Sequence, residues 1–313
     1  MAGPVVGSLG ELLVEFVAIE KDGRNLRPST YRGPFPSGAP GIFIDQAART
    51  GARAVFAGAV GADAFGQVVL ERLTEDGVSD TMIRRVPGYP TGTAHVSYNS
   101  DGSRDFVFNM AHSAAAHFPR GREAIEGFLA AGTQVLHVSG SALGDPDMRA
   151  AIAEVCAALH AKGVAISIDP NIRTELMSDA GYLETVRRLI AMADYVLPSD
   201  ADAELLWPGA SFGDWASSLS ARFVALKRGD KGAVALSGGV VTDLPAHSVE
   251  VVDPTGAGDC FCGTAVTLLA GGMAPADALA RAVAAGALAV TRLGPMEGNS
   301  HLTRVEDFLR TGA

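Results

Sequence analysis

The sequence predicts an α/β fold in which helices cover both faces of a mostly parallel β-sheet. Beyond Gly121, short apolar segments typical of buried strands alternate with longer segments of helical spacing, and a strand, a glycine turn and a helix follow one another near residue 256. This alternation favours parallel strands joined by helices. The expected strands are 134–139, 165–169, 195–197 and 223–226, and the expected helices are 147–161, 182–192, 258–270 and 275–291.

One domain spanning residues 1–313 is expected. A chain of 313 residues can bury roughly three quarters of its unfolded surface, which is enough for one large α/β domain. No internal repeat or low-complexity linker divides the sequence. Hydrophobic residues make up 48% of the chain and charged residues 19%, which is typical of a soluble globular protein.

The N-terminal segment begins with an apolar strand at residues 5–7, which residues 12–14 are expected to continue past Gly10. Glu15 interrupts this apolar run at a strand end. Because α/β folds place their ligand crevice at strand ends, Glu15 is a candidate binding residue. A solvent-facing acid is the other interpretation of the same residue.

The segment over residues 32–41 is dense in proline and glycine and is expected to be irregular, with a helix from about residue 41 to Thr50. Residues 58–66 form a turn that leads into a second helix. At 91–110, alternating apolar residues flank Asp101-Gly102, a strong hairpin signal. A hairpin with one apolar face needs another surface to cover.

Residues 249–270 combine an apolar strand, a glycine turn and the start of a helix, an arrangement that predicts an anion site. Free backbone N–H groups and the helix dipole converge there, and Gly256 and Gly258 place no Cβ atom in the way of a phosphate. Asp259 stands beside this site, where a carboxylate would be repelled unless it has a role. A general base for an attacking hydroxyl is one such role, and an ordinary helix cap is the alternative.

Two familiar nucleotide motifs are absent from the sequence. No G-x-x-x-x-G-K-[ST] pattern occurs, and Phe261 stands where a Rossmann G-x-G-x-x-G would need its last glycine. A nicotinamide-dependent oxidoreductase is therefore disfavoured. The three cysteines do not have the spacing of a zinc site or of a disulfide framework, which suits a reducing, cytoplasmic location, and no signal peptide is recognised. The net charge of −10 disfavours nucleic acid and anionic membranes as partners.

The stretch D-P-T-G-A-G-D at residues 253–259 resembles the D-T-x-G-A-G-D signature of the ribokinase-like (PfkB) sugar kinases, with proline in place of the first threonine. The resemblance implies a three-layer α/β/α sandwich with a small β-lid, contributed by residues 11–36 and 91–110, that closes over the sugar. Lids of this family sometimes pair between subunits, so a homodimer is a further expectation. The resemblance also implies that Asp259 is the catalytic base and that Gly256, Ala257 and Gly258 form the anion hole.

The same resemblance assigns residues to the sugar. Glu15 would hold sugar hydroxyls, Gly38 would lie against the sugar, and Arg173 in D-P-N-I-R would face substrate or phosphate. Arg104, beside the hairpin turn, is a further substrate candidate, although an exposed arginine is equally compatible. Ile42 stands where relatives carry a sugar-binding asparagine, which puts the identity of the substrate in doubt.

The nucleotide and metal residues are also carried over from the family. Ser199, Lys227 and Gly229, together with Gly256 and Gly258, would bind ATP. Asp202 would act on Mg²⁺ through bound water, although the family's P-N-x-x-E reads P-S-D-A-D here. Asp253 and Thr255 are the candidates for a monovalent-cation site, with K⁺ as the expected ion.

The predicted reaction is transfer of the γ-phosphoryl group of ATP to a primary hydroxyl of a monosaccharide. The motifs resemble those of tagatose kinase-type and fructokinase-type members most, which favours a ketohexose. 2-Keto-3-deoxygluconate is the main rival, because Arg104 and Arg173 could bind its carboxylate, and a nucleoside is third. A non-catalytic sugar-binding relative is the remaining alternative, supported by the departures at Ile42, Ser199 and Asp202.

Overall fold

The computed structural model describes residues 3–101, 103–173, 177 and 179–312. In this part of the chain the strands are β1 Val5–Leu9, β2 Leu13–Ala18, β3 Tyr31–Ser37, β4 Arg53–Gly61, β5 Ser79–Val86, β6 Gly92–Tyr98, β7 Arg104–Asn109, β8 Val135–Ser139, β9 Ala165–Asp169, β10 Tyr195–Val196, β11 Phe223–Lys227, β12 Ala233–Ser237 and β13 Val240–Leu244. The α-helices are α1 Ala39–Arg49, α2 Ala64–Glu75, α3 Gly121–Ala131, α4 Pro146–His160, α5 Ala180–Met192, α6 Asp200–Leu206, α7 Phe212–Ser217, α8 Ala257–Ala270, α9 Pro275–Ala289 and α10 Leu302–Thr311.

The large sheet has nine strands among the described residues, in the order β13-β12-β11-β10-β9-β8-β1-β4-β5. Neighbouring strands pair in parallel along the run β11-β10-β9-β8-β1-β4-β5, and β12 and β13 extend the sheet antiparallel beyond β11. The carboxyl ends of β1, β8, β9 and β11 therefore meet at one edge of the sheet, where parallel sheets place their ligands.

Two apolar cores cover the two faces of this sheet. One core packs side chains of α1, α2, α8 and α9 against the strands, and the other packs α3, α4 and α5 on the opposite face. Fully buried Phe43 belongs to the first core and fully buried Phe128 to the second. The prediction of a three-layer α/β/α sandwich is confirmed.

A second, four-stranded sheet has the order β3-β2-β6-β7. Strands β6 and β7 pair antiparallel, with Thr93 opposite Asn109 and Tyr98 opposite Arg104, as expected of the hairpin; Gly102 lies outside the described residues. Val107 and Phe108 on β7 are about half exposed, at 46% and 53%. That this sheet acts as a lid, and that it pairs between subunits, stays a prediction.

The sequence prediction was wrong for the segment before the anion motif. Residues 249–252 are not a strand, and Val251 and Val252 are 62% and 49% exposed. The backbone of this segment bonds to the end of α9 instead, where the N–H groups of Val252 and Asp253 both donate to the carbonyl of Val290. An apolar run alone does not make a strand when no neighbouring strand offers it hydrogen bonds.

Two further corrections concern the N-terminal segment. Residues 12–14 do not continue β1, because the chain leaves the large sheet at Gly10 and β2 belongs to the small sheet. Residues 32–41 are not irregular either, since Tyr31–Ser37 forms β3 and α1 begins at Ala39. Strand β3 lies at the edge of its sheet, where prolines do not interrupt a ladder.

Within the described residues, no helix has the combination of length and apolar character that a membrane span requires.

Candidate active site

The predicted anion site lies at the N-terminus of α8. Gly256 is the residue before the helix and has a φ of 82°, a left-handed conformation that favours glycine. A Cβ atom there would lie 2.3 Å from the carbonyl oxygen of Pro295, so only glycine fits. The N–H groups of Ala257, Gly258 and Asp259 occupy the first helical turn, which offers them no acceptor within the helix. The structure therefore builds a cradle of N–H donors at the position that the motif predicts.

Asp259 lies in this first turn, 8% exposed, and its Oδ1 atom is buried with no hydrogen-bond partner among the described residues. Burial raises the pKa of Asp259 to about 7, and the nearby carboxylate of Asp169 adds to this rise. The positive charges of Lys227 and Arg173 oppose it. A carboxyl group whose pKa lies near neutrality can accept a proton at physiological pH, which is what a general base requires.

Lys227, at the end of β11, lies directly below the anion site. Its Nζ donates to Oδ2 of Asp169 and lies 3.6 Å from Sγ of Cys262. It is also 3.3 Å from the point that a Cβ atom of Gly258 would occupy. The ion pair with Asp169 raises the pKa of Lys227, so the ammonium stays charged despite its burial. The sequence predicted a phosphate contact for Lys227 but not its pairing with Asp169.

Asp253 joins the small sheet to the anion site. Its Oδ1 accepts hydrogen bonds from the hydroxyl of Tyr98 on β6 and from the N–H of Thr255 at 2.9 Å, and its Oδ2 accepts from the N–H of Gly294 at 2.9 Å. Arg104, on β7, donates to the Thr255 hydroxyl at 3.3 Å. The carboxylate of Asp253 is therefore already satisfied by protein donors, and the predicted monovalent-cation site at Asp253 and Thr255 stays a prediction.

The sugar residues predicted on the small sheet come together beside Asp253. Glu15, on β2, is 3% exposed, and its Oε2 accepts from the Ser37 hydroxyl at 3.3 Å while its Oε1 is buried without a partner. Burial and the charge of Asp253 together raise the pKa of Glu15 to about 8, and the positive charges of Arg104 and Arg173 oppose this rise. Glu15 therefore interacts electrostatically with both arginines.

Gly38 and Ile42 lie at the start of α1. Gly38 has a φ of 106°, and a Cβ atom there would lie 2.5 Å from the backbone oxygen of Glu11, so glycine is required for the close approach of these two segments. Ile42 is 3% exposed and packs with Cys260 and Met296 in a small core. Its side chain therefore contributes packing, and the predicted contact of Gly38 with the sugar stays a prediction.

Ser199 and Asp202 form a capping box at the start of α6. Oδ2 of Asp202 accepts from the N–H and hydroxyl of Ser199, at 2.8 and 2.7 Å, and its Oδ1 accepts from the N–H of Ile172 at 2.8 Å. Ser199 also bridges to Lys227, while Gly229 lies exposed just after β11. Asp202 is 3% exposed, and its Oδ1, which accepts one hydrogen bond among the described residues, ties α6 to the loop after β9. The described residues contain no cluster of three or more His, Cys, Asp or Glu that would hold a metal.

Glu11 was not recognised from the sequence as a site residue. It follows Gly10 at the carboxyl end of β1, its Oε1 accepts from the Ser141 hydroxyl at 2.7 Å, and its Oε2 is buried without a partner in the described structure. Its charge also raises the pKa of Asp259, which places both carboxyl groups at one site. The signal that singled out Glu15, an acid at a strand end, applies equally to Glu11.

A buried carboxyl group beside an anion-binding helix terminus is the arrangement of a phosphotransferase that acts on hydroxyl groups. Comparison with known proteins identifies the family. Residues 8–302 match the model of the pfkB family carbohydrate kinases, and the chain belongs to this family. The resemblance of residues 253–259 is thereby confirmed, as is the prediction that the protein is a sugar phosphotransferase.

Three similar proteins illustrate the range of the family. A fructokinase of Klebsiella pneumoniae is 33% identical over 83% of this chain and 87% of its own length. A 2-dehydro-3-deoxygluconokinase of Bacillus subtilis is 31% identical over 96% of this chain and 94% of its own length. The crystal structure of a candidate ribokinase II of E. coli, in complex with ATP and Mg²⁺, is 36% identical with a TM-score of 0.90, over 98% of this chain and 99% of that one.

Proposed function

We propose that this kinase transfers the γ-phosphoryl group of ATP to the primary hydroxyl of a neutral monosaccharide, a ketohexose such as fructose or tagatose. The observation that carries the proposal is the pair of buried carboxyl oxygens, Oε1 of Glu15 and Oδ1 of Asp259, that have no partner among the described residues. A buried polar atom without a partner is costly, so such atoms call for a ligand that supplies hydrogen bonds. The hydroxyl groups of a neutral sugar are suitable, because a hydroxyl can donate to an ionised carboxylate and can also accept from a protonated carboxyl group.

In this proposal Asp259 receives the proton of the primary hydroxyl as that oxygen attacks phosphorus. The N–H groups of Ala257, Gly258 and Asp259 hold the charge that develops on the transferred group, and Lys227 lies close enough to add a positive charge below it. Loss of one such donor typically slows an enzyme by roughly 100- to 1,000-fold. Positioning and electrostatics of this kind account for most of the catalysis of phosphoryl transfer.

ATP and a divalent metal complete the proposed site. The similar E. coli protein was crystallised with ATP and Mg²⁺, and we expect this chain to use the same pair. Mg²⁺ usually binds through one or two carboxylates, waters and the nucleotide phosphates. Asp202 would act on the metal through bound water, because Oδ2 already accepts two protein hydrogen bonds while Oδ1 accepts one. Ser199, Lys227 and Gly229 would lie on the nucleotide side. The metal would neutralise phosphate charge.

The small sheet serves as a lid in this proposal. Tyr98 and Arg104 connect it to Asp253 and Thr255, immediately before the anion hole. Closure of such a lid excludes water, which would otherwise compete with the sugar as phosphoryl acceptor.

2-Keto-3-deoxygluconate is the second candidate substrate. Arg104 and Arg173 face the site and could pair with its carboxylate, and the B. subtilis relative is named for a kinase of this sugar acid. Against this stand Glu15 and Asp253, two carboxyl groups beside the same arginines. The two arginines therefore favour an anionic substrate, whereas the two carboxyl groups favour a neutral one.

An ADP-release assay with Mg·ATP distinguishes the candidates. We expect turnover with fructose or tagatose and much less with ribose, adenosine or 2-keto-3-deoxygluconate. Asp259→Asn, which keeps the shape of the side chain but is not a base, should abolish turnover while ATP still binds. Preference for the sugar acid would transfer the proposal to the second candidate. An active Asp259→Asn variant would remove the assignment of the base.

A further inference from the structure

The space around Asp259 contains a third buried carboxylate oxygen that the catalytic scheme leaves unused. Oε2 of Glu11 has no hydrogen-bond partner among the described residues, although Oε1 of the same carboxyl group is held by Ser141. Glu11 follows β1, and Asp259 lies in the first turn of α8 beside Gly258, whose Cβ position is 3.3 Å from Nζ of Lys227 at the end of β11. The carboxyl ends of β1 and β11 lie at the same edge of the large sheet, so both carboxyl groups lie at that edge, and the charges of both interact with Arg173.

A chain of hydrogen bonds fixes the orientation of the Glu11 carboxylate. The side-chain amide of Asn171 donates to the Ser139 hydroxyl at 3.1 Å, the Ser139 and Ser141 hydroxyls are 3.0 Å apart, and Ser141 lies 2.7 Å from Glu11 Oε1. An amide nitrogen only donates, so Ser139 accepts from Asn171. The Ser141 hydroxyl donates to Oε1 of Glu11, so Oε1 is an acceptor.

The first residue in this chain of hydrogen bonds, Asn171, is held rigidly. Asn171 has a φ of 34°, a conformation that a residue other than glycine adopts only when its surroundings hold it, and its N–H donates to Asp169 at 3.2 Å. The ends of β8 and β9 are packed so closely that a Cβ atom on Gly140 would lie 1.7 Å from the carbonyl of Pro170. The Ser141 hydroxyl, at the end of this chain of hydrogen bonds, therefore has little freedom to turn away from Glu11.

We infer that Glu11 is a specificity-determining residue whose Oε2 accepts a hydrogen bond from a secondary hydroxyl of the sugar. The inference rests on the proposed function, because Asp259 is then occupied by the primary hydroxyl and Glu11 is left for another. The polarity of the contact follows from the chain of hydrogen bonds, since Ser141 already supplies the donor for Oε1 and leaves Oε2 for the ligand. Burial raises the pKa of Glu11, and the Ser141 hydrogen bond and the charge of Arg173 oppose the rise.

The inference predicts how sugar analogues are discriminated. A deoxy analogue lacks the hydroxyl, and a deoxyfluoro analogue has an atom that accepts but does not donate. Both should lose the contact with Glu11 at the same ring position. A buried acceptor left without a donor makes this loss roughly 10- to 100-fold in kcat/KM.

The experiment compares the sugar that the wild type uses best with its deoxy and deoxyfluoro analogues at each secondary position, in the wild type, Glu11→Gln and Ser141→Ala. Calorimetric binding of the same sugars gives a readout that does not need turnover. Wild type should reject both analogues at one position. In Glu11→Gln the Ser141 hydroxyl holds the amide oxygen, so an NH2 group that cannot accept takes the place of Oε2, and discrimination at that position alone should fall about tenfold. Ser141→Ala, which removes the anchor, should give a smaller fall. Glu154→Gln, on the exposed face of α4, is the matched control and should leave the pattern unchanged.

Three results would overturn the inference. The first is that the wild type accepts the fluoro analogue wherever it rejects the deoxy analogue, which would make the hydroxyl an acceptor. Glu11→Gln could weaken all sugars equally, which indicates a purely structural role, or it could leave discrimination unchanged. Failure of the proposed function is a separate result, because sugar binding without phosphorylation would refute the kinase assignment for that sugar while the binding data still test Glu11.

Discussion

Replacement of Asp259 by asparagine is expected to stabilise the ligand-free protein while it abolishes phosphoryl transfer. The carboxyl group is buried, one of its oxygens has no partner among the described residues, and its pKa is raised from 3.8 to about 7. Each pKa unit corresponds to 1.36 kcal/mol, so ionising this group in the folded protein costs about 4 kcal/mol more than in water. Asparagine does not ionise and avoids this cost.

The effect has a definite dependence on pH. Because the pKa is higher in the folded protein than in the unfolded chain, ionisation of Asp259 lowers the free energy of unfolding as pH rises from about 4 to about 7. Below pH 4 the group is neutral in both states and contributes no difference. The stability advantage of Asp259→Asn over the wild type should therefore be larger at pH 8 than at pH 5, by roughly 2 to 3 kcal/mol.

Urea unfolding of the wild type and Asp259→Asn at pH 5 and pH 8 measures this difference directly, and ADP release gives the activity of the same preparations. Asp80→Asn is the control, because Asp80 is an exposed carboxyl group on β5 and its replacement should have the same small effect at both pH values. A variant that is no more stable than the wild type at pH 8 would refute the reasoning about burial. A variant that keeps its turnover would refute the role as base.

Three further predictions follow from the site geometry. The value of kcat/KM should be half-maximal near pH 7 and fall tenfold per unit below it, because Asp259 must be ionised to accept a proton; a flat profile from pH 5 to 8 would contradict this. Gly256→Ala should reduce kcat by roughly 100-fold or more, because its Cβ atom would lie 2.3 Å from the Pro295 oxygen and displace the N–H cradle. The far-UV circular dichroism spectrum should be retained, and an unchanged kcat would show that the cradle is not used. Tyr98→Phe removes a hydrogen bond to Asp253. In steady-state kinetics it should raise KM for the sugar by roughly 5- to 30-fold with little change in KM for ATP. Equal effects on both KM values would argue against a lid contact.

The sequence predicted those parts of the molecule that depend on local pattern. The parallel strands after Gly121 were recognisable because short apolar segments that alternate with helical segments are compatible with few arrangements other than a parallel sheet. The glycine turn before α8 was recognisable because two glycines, one residue apart, are followed directly by an acid. The strand expected at 249–252 was wrong, since a strand also needs a partner, and the partner is not encoded in the segment itself.

Long-range contacts explain what the sequence left unrecognised. Glu11 becomes a site residue through Ser141, which lies 130 positions along the chain, and Lys227 meets Asp169 across 58 positions. Asp253 receives its hydrogen bond from Tyr98 only because the small sheet folds back over the N-terminal end of α8. Such pairings arise from the order of strands in the sheets, which no local spacing specifies.

The most direct test of the proposed function is the chemical identity of the product. Incubation with Mg·ATP and fructose or tagatose, followed by proton-coupled phosphorus NMR, shows which carbon carries the phosphate. The proposal predicts a phosphate coupled to the two protons of a primary carbon, and no such product with Asp259→Asn. A product formed only from 2-keto-3-deoxygluconate, a phosphate on a secondary carbon, or hydrolysis of ATP without a sugar phosphate would contradict it.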